Sequence, residues 1–241
     1  MTEDIIFIIE QAQKLGHTIE ILSNVKSGKE ATVYRVLLDG ELVAMKVYKT
    51  QEERDFKNTA HYLVGKYYRR SSEQKAIAKK NAFSKKLTYD NWVKREYSLL
   101  EKMFSHGALV PRPILHINNT IFMELLGDKS SVAPRLHDVI LTIEEAEDAY
   151  KDILSSIKIF WDCGIIHADL SEFNILWWKS KPYIIDFPQS IDRRTHPDAG
   201  IFLERDLKNT LKYFSKYIEV DFNAVISEFE EKNPIPDRIY R

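Results

Sequence analysis

Two apolar-rich runs, Ala31 to Leu38 and Glu41 to Tyr48, are separated only by Asp39-Gly40. Asp-Gly suits the two left-handed positions of a tight hairpin turn, so the chain is expected to double back here as antiparallel strands. Ile114 to Ile117 and Thr120 to Leu125, parted by Asn118-Asn119, read as a second hairpin, and Ile19 to Leu22 as a further strand. A helix capped by Thr2 runs to about Lys14, with Gly16 ending it. Asp90 reads as the cap of a helix reaching about Phe104, and Val110-Pro111-Arg112-Pro113 as an extended crossing. After Gly127 the character changes. Thr142-Ile143-Glu144-Glu145 has the form of a capping box and opens a helix with Ala146, Ala149, Ile153, Ile157, Phe160 and Trp161 on one side. Ile175-Leu176-Trp177 and Tyr183-Ile184-Ile185 read as short strands, and residues 200–218 and 221–232 as closing helices. A β-rich first part and a helical second part predict an α+β fold in two lobes, joined near Glu124–Asp128. The expected division is residues 1–124, including a basic insertion at 50–87, and residues 125–241.

A chain of 241 residues is long enough for one large domain or two small lobes. Its single cysteine, Cys163, excludes an internal disulfide and lies at the end of an apolar helical pattern, where a buried structural thiol is expected. The acidic start Met1-Thr2-Glu3-Asp4 is unlike a signal peptide, and no stretch has the length to span a bilayer, so a cytoplasmic protein is expected. Charge is balanced overall, with 35 basic and 36 acidic residues, but not locally. Arg54 to Arg95 holds 12 Lys or Arg against 3 Asp or Glu, and Phe56, Tyr62, Tyr67, Tyr68, Phe83 and Trp92 are interleaved with them. That mixture suits either a polyanion contact, RNA among them, or a solvated linker.

Three ionisable residues sit inside apolar patterns. Lys46 lies in Val43-Ala44-Met45-Lys46-Val47-Tyr48, Glu96 on the helix face of Trp92, Leu99, Leu100 and Met103, and Asp186 after an isoleucine pair. Burying a charge is costly unless it is paired or ligated. Pairing of Lys46 with Glu96 satisfies both; the alternative is a snorkelling lysine and an edge-exposed glutamate.

His167-Ala168-Asp169-Leu170-Ser171-Glu172-Phe173-Asn174, with Asp186 downstream in Tyr183-Ile184-Ile185-Asp186-Phe187, spaces three polar groups that phosphoryl transfer uses. Asp169 can orient a hydroxyl, while Asn174 and Asp186 can hold magnesium on nucleotide phosphates. His167 reads as a packed histidine whose partner fixes the loop, with a base as the alternative. Glu172 reads as a solvent-exposed acid, the alternative being a group assisting the metal. Upstream, Val25-Lys26-Ser27-Gly28-Lys29-Glu30-Ala31-Thr32-Val33-Tyr34 falls between two strands, where one glycine, Ser27 and flanking amides can cradle a phosphate.

The order of loop, strand lysine, helix glutamate, His-x-Asp-x4-Asn and metal aspartate resembles the protein kinase fold. Ser27-Gly28-Lys29-Glu30-Ala31, the 167–174 run and Ile185-Asp186-Phe187-Pro188-Gln189 narrow the resemblance to the RIO family of atypical serine/threonine protein kinases, type-one subfamily. The expected fold is therefore a β-rich N-lobe and a truncated helical C-lobe. Pro188 stands where kinases carry the glycine of Asp-Phe-Gly, no Ala-Pro-Glu segment follows, and 55 residues after Asp186 leave no room for an activation loop and peptide-docking helices.

The resemblance implies that Lys46 contacts the α/β-phosphates of ATP and pairs with Glu96. It implies that the backbones of Glu124 and Leu126 hold adenine with Met123 behind it, and that Ser27 and Lys29 lie near the triphosphate. Asp169 is then the catalytic acid/base, Asn174 and Asp186 the ligands of Mg2+ or Mn2+, and Asp186 also a candidate phosphate acceptor. In this family ATP hydrolysis accompanies protein phosphorylation, and the setting is maturation of the small ribosomal subunit, which would give the basic segment an rRNA or ribonucleoprotein partner. Two other readings stand beside it. The His-x-Asp-x4-Asn element is shared with small-molecule kinases of the aminoglycoside type, and the basic aromatic segment suits an ATP-gated assembly scaffold with little turnover.

Overall fold

The computed structural model describes residues 3–49 and 82–232. Thr2 and most of the basic 50–87 insertion lie outside the described residues. The chain divides into two compact units, which among the described residues comprise 3–49, 82–101 and 111–132 in the first and 102–110 and 133–232 in the second.

The first unit is built on a five-stranded antiparallel sheet. Its strands are β1 (Ile19–Ser27), β2 (Ala31–Leu38), β3 (Glu41–Tyr48), β4 (Pro113–Ile117) and β5 (Thr120–Glu124), in the order β1-β2-β3-β5-β4. Asp39 and Gly40 take φ of 52° and 85°, as the tight β2–β3 turn requires. Asn118, with φ 50°, does the same for β4–β5. The first strand runs past Leu22 to Ser27, because register shifts near Ser23 and Lys26 let it continue pairing with β2.

The sheet carries different partners on its two faces, as the alternation of strand side chains dictates. Helix α1 (Glu3–Lys14) sets Ile8 and Ala12 against Val36, Leu38, Val43, Met45, Val47, Ile117 and Phe122. Tyr48, Ala31 and Ile121 instead pack with Val93 of helix α2 (Ala82–Ser105). Each fully buried aliphatic or aromatic side chain here contributes about 1.5–3 kcal/mol of transfer free energy. The position expected as the start of α2, Asp90, lies inside the helix, which begins eight residues earlier at Ala82. Leu87 and the lysines before it are good helix formers and extend the helix toward its N-terminus.

The second unit is organised around helix α3 (Ile143–Asp162). The capping box is present: Thr142 Oγ1 accepts from the Glu145 amide at 3.2 Å, and Glu145 accepts from the Thr142 amide at 2.9 Å. Ala146, Ala149, Ile153, Ile157, Phe160 and Trp161 are all buried. Short strands β6 (Ile165–Ile166) and β9 (Ile191–Asp192) pair with each other, as do β7 (Ile175–Trp178) and β8 (Lys181–Ile184). Ile185 falls just outside β8. Helices α4 (Ala199–Phe214) and α5 (Phe222–Lys232) complete the unit. Cys163 is buried, as a structural thiol should be.

Candidate active site

The candidate residues fall into two sets, one in each unit. In the first, Lys46 pairs with Ile121 on one side and Val33 on the other, deep in the sheet. Its Nζ lies 2.9 Å from Glu96 Oε1, with the two side chains 12% and 5% exposed. The pairing expected from two misplaced charges is therefore made, and the snorkelling alternative is excluded. The second carboxylate oxygen of Glu96 accepts from the Tyr48 hydroxyl, a partner that reading the sequence did not identify.

Ser27 ends β1, and Gly28 to Glu30 form the turn into β2, closed by the Gly28 amide donating to the Ala31 carbonyl at 2.9 Å. Ser27 Oγ is 3.2 Å from Thr32 Oγ1, and Lys29 is exposed. A second missed residue, Lys49, donates to the Gly28 carbonyl at 2.6 Å and ties the turn to the end of β3. Met123 and Glu124 are half-buried at the end of β5, and Leu126 is buried just beyond it. The Glu124 amide is engaged by the Arg112 carbonyl at 2.8 Å.

In the second unit, the 167–174 loop and the 185–189 loop are stitched together. Ile175 pairs with Ile184 across the β7–β8 ribbon, so Asn174 and Ile185 leave the same end of it, and the Ile185 amide donates to the Asn174 carbonyl at 3.0 Å. His167 is 2% exposed, its Nε2 is 3.0 Å from the Ile185 carbonyl, and its ring packs 5.0 Å from that of Phe187. It is a packed histidine that fixes the loop, and its burial removes it from the role of base. Phe187 is itself buried edge-on against Phe160.

Asp169 is exposed, and Asn174 Nδ2 donates to its carbonyl at 2.8 Å and approaches its carboxylate at 3.3 Å. With Nδ2 so engaged, the amide oxygen of Asn174 is directed elsewhere, available to a hard cation. Asp186 is exposed rather than enclosed in the core, contrary to the apolar pattern before it. The turn of chain after β8 swings it outward with φ 74°. Glu172, expected to be solvent-exposed, is only 19% exposed in its side chain and lies 4.0 Å from His137. His137 also stacks on the neighbouring Phe173, with ring centroids 4.2 Å apart.

Six non-glycine residues take positive φ among the described residues; Asp39, Asn118, Lys179 and Ser180 do so in hairpin turns. The other two are Ala168, next to Asp169, and Asp186. Left-handed conformations outside turns persist only where the surroundings impose them. At Ala168 the cause is visible. Asp206, from α4, accepts the amides of Ala168 at 2.7 Å and Leu170 at 3.0 Å, and Arg205 donates to the Ala168 carbonyl. Burial pushes the Asp206 carboxyl above the usual carboxylate range, an effect opposed by the nearby His167 and by the two amides. Asp206 was not identified from the sequence, although an acid among Leu203, Leu207 and Thr210 on the buried face of α4 carried the same signal as Glu96.

Among the described residues, no group of three or more His, Cys, Asp or Glu is placed to hold a metal ion, and no helix is long and apolar enough to cross a membrane. Asn174 and Asp186 offer one amide and one carboxylate, hard oxygen donors that suit Mg2+ when phosphate and water complete its shell.

A family model described as the RIO domain matches residues 32–225. The serine/threonine-protein kinase rio1 of Schizosaccharomyces pombe is 34% identical over 204 residues, which are 83% of this chain and 39% of that protein. The serine/threonine-protein kinase RIO1 of Homo sapiens is 30% identical over 204 residues, 84% of this chain and 34% of that protein. This chain thus spans well under half the length of either relative. Among solved structures, the crystal structure of the Rio2 kinase–ADP/Mg2+–phosphoaspartate complex from Chaetomium thermophilum aligns with a TM-score of 0.65 and 19% identity, over 96% of this chain and 66% of that one. That likeness is one of fold, and it agrees with the α+β, kinase-like architecture described above. With the family match running from β2 into α5, the chain belongs to the RIO domain family.

Proposed function

We propose that this chain is an ATP-dependent kinase and ATPase of the RIO type, which moves the γ-phosphate of ATP to a serine or threonine hydroxyl or to its own Asp186. The buried Lys46–Glu96 pair carries the reading. An ion pair in an apolar interior stabilises little over well-packed hydrophobic residues, so its presence calls for a ligand that needs an oriented cation. The relatives described as serine/threonine-protein kinases support it, as does the Rio2 structure described with ADP, Mg2+ and phosphoaspartate.

In this proposal Lys46, oriented by Glu96, binds the α/β-phosphates, and Ser27, Lys29 and the turn amides lie along the triphosphate. The Glu124 carbonyl and the Leu126 amide hold adenine, with Met123 behind it. Asn174 and Asp186 hold Mg2+, or Mn2+ in its place, which when bound neutralises charge building on the phosphates. Asp169 accepts the proton of an attacking hydroxyl. When Asp186 is the acceptor, its carboxylate oxygen forms the new bond to γ-phosphorus, the bond from that phosphorus to the β,γ-bridging oxygen breaks, and ADP leaves. Positioning and electrostatics supply the rate, with little other covalent chemistry. The proposed lobes are residues 1–124 and 125–241, whereas the compact units of the fold group 125–132 with the first and 102–110 with the second.

The test is incubation with γ-labelled ATP and Mg2+ followed by mapping of covalent phosphate. The expected product is a hydroxylamine-labile phosphate absent from Asp186→Asn, with Asp169→Ala losing transfer while still binding ATP. Unchanged turnover in Asp169→Ala overturns the assignment. Nucleotide binding with no turnover in the unaltered protein favours an ATP-gated scaffold instead.

The proposed setting is the cytoplasm and the proposed partner a precursor of the small ribosomal subunit, met by the basic 54–95 segment. Charge reversal at Arg69 and Arg70 should then weaken particle binding in a salt-dependent way.

A further inference from the structure

The two carboxylate oxygens of Glu96 are held by two different residues of one strand. Oε1 is 2.9 Å from Lys46 Nζ, and Oε2 accepts from the Tyr48 hydroxyl. Lys46 and Tyr48 are two apart on β3, so both face α2. Tyr48 is wholly buried, Glu96 is 4% exposed, and the Lys46 ammonium lies 5.0 Å from the centroid of the Tyr48 ring.

These contacts act on different degrees of freedom. A glutamate side chain has three rotatable bonds and a lysine four, so an ion pair alone leaves the line between them poorly defined. The Tyr48 ring has no such freedom. It is packed with Ala31, Val93 and Ile121, and its hydroxyl stands at a fixed point on the sheet. Anchoring one oxygen of Glu96 there fixes the rotation of the carboxylate, and the other oxygen then sets where the Lys46 ammonium rests. Phosphoryl transfer is sensitive to displacements of its cations of about 1 Å.

We infer that Tyr48 is a positioning residue, whose hydroxyl orients Glu96 and through it aims Lys46 at the nucleotide phosphates. The inference rests on the nucleotide reading above. It adds a third member to the Lys46–Glu96 pair and makes the phenol, rather than helix position alone, part of what sets the pair's geometry.

The test is a double-mutant cycle on ATP affinity and KM, using Tyr48→Phe, Glu96→Gln and the pair, with thermal unfolding recorded for each. Tyr48→Phe keeps the ring and should weaken ATP binding about tenfold, the scale of one hydrogen bond to a charged group. It should also reduce labelling of Lys46 by an acyl-phosphate derivative of ATP. In the Glu96→Gln background the same change should have little further effect, because its route to Lys46 runs through that carboxylate. Equal ATP affinity in Tyr48→Phe and the unaltered protein overturns the inference, as does the same loss in both backgrounds, which would mark a packing role. Should Tyr48→Phe not fold, 4-fluorophenylalanine at position 48 nearly keeps the volume of the tyrosine ring and hydroxyl but cannot donate; it should show the same loss of ATP affinity, and unchanged affinity overturns the inference. If the unaltered protein itself fails to bind ATP, the nucleotide reading falls and this inference with it.

Discussion

The Asp206 carboxylate accepts the backbone amide of Ala168 at 2.7 Å, and with its other oxygen the amide of Leu170 at 3.0 Å. Asp169 therefore stands between two peptide groups pinned to a single buried side chain of α4. This is why an alanine adopts φ 64° there and why Asp169 is presented outward while its neighbours on both sides are buried. Replacing Asp206 with Ala leaves two buried amides without acceptors, at about 1–3 kcal/mol each. Chemical denaturation should show a loss of about 2–6 kcal/mol, and residual folded protein should lose kcat more than affinity for ATP.

Asp206 also makes a prediction about pH. Its folded-state pKa is raised, chiefly by burial, so the folded state holds the proton more tightly than the unfolded chain. The resulting contribution is fully present below the ordinary aspartate range and is lost as pH rises through the raised value. Stability measured against Asp206→Asn, which does not titrate, should thus favour the unaltered protein most in acid, with the advantage shrinking as pH rises. An advantage that grows with pH would contradict the burial-dominated shift.

Breaking the Lys46–Glu96 pair from one side strands a charge in the sheet interior. Glu96→Ala should destabilise the fold by about 3–5 kcal/mol, the range for a buried pair deprived of one partner. Lys46→Met should cost less stability, since Glu96 keeps the Tyr48 hydroxyl, yet abolish ATP-dependent turnover. Thermal unfolding and ATPase rates on the two variants separate these effects.

Thr142 supplies a cap and no chemistry. Thr142→Ala removes one half of the capping box at the start of α3 and should lower stability by about 1 kcal/mol, leaving KM for ATP unchanged. This variant is a control for stability losses that do not reach the site.

Gly164 separates α3 from β6 with φ 77°, and a Cβ there would meet Arg194 Nε at 3.0 Å. Gly164→Ala should therefore destabilise by about 1–2 kcal/mol through backbone conformation. The flexible Arg194 side chain can shift aside, so the steric part should be small, and Arg194→Ala should rescue little of the loss.

Local rules made much of this protein legible without coordinates. Asp39-Gly40 and Asn118-Asn119 specify turns through the backbone angles those residues tolerate, so both hairpins were readable to within a residue or two. The capping box at Thr142 and the apolar stripe from Ala146 to Trp161 were equally plain, because helix periodicity and cap geometry involve only near neighbours. The Lys46–Glu96 pair was readable for a different reason: each charge broke an apolar pattern, and burial leaves such charges few options but each other. What the tertiary structure decided was third partners and exposure. Asp186 follows an apolar strand yet is turned outward, Glu172 lies partly buried near a histidine 35 residues away in sequence, and α2 extends past Asp90. Tyr48 looks in the sequence like an ordinary strand residue, and Asp206, though it breaks an apolar helix face, has no partner that a local pattern points to. Only when β3 meets α2, and α4 meets the loop before Asp169, do a phenol and a carboxylate find the groups they orient. A hydrogen bond depends on distances of a few tenths of an ångström between segments far apart in the chain, and no local pattern encodes that.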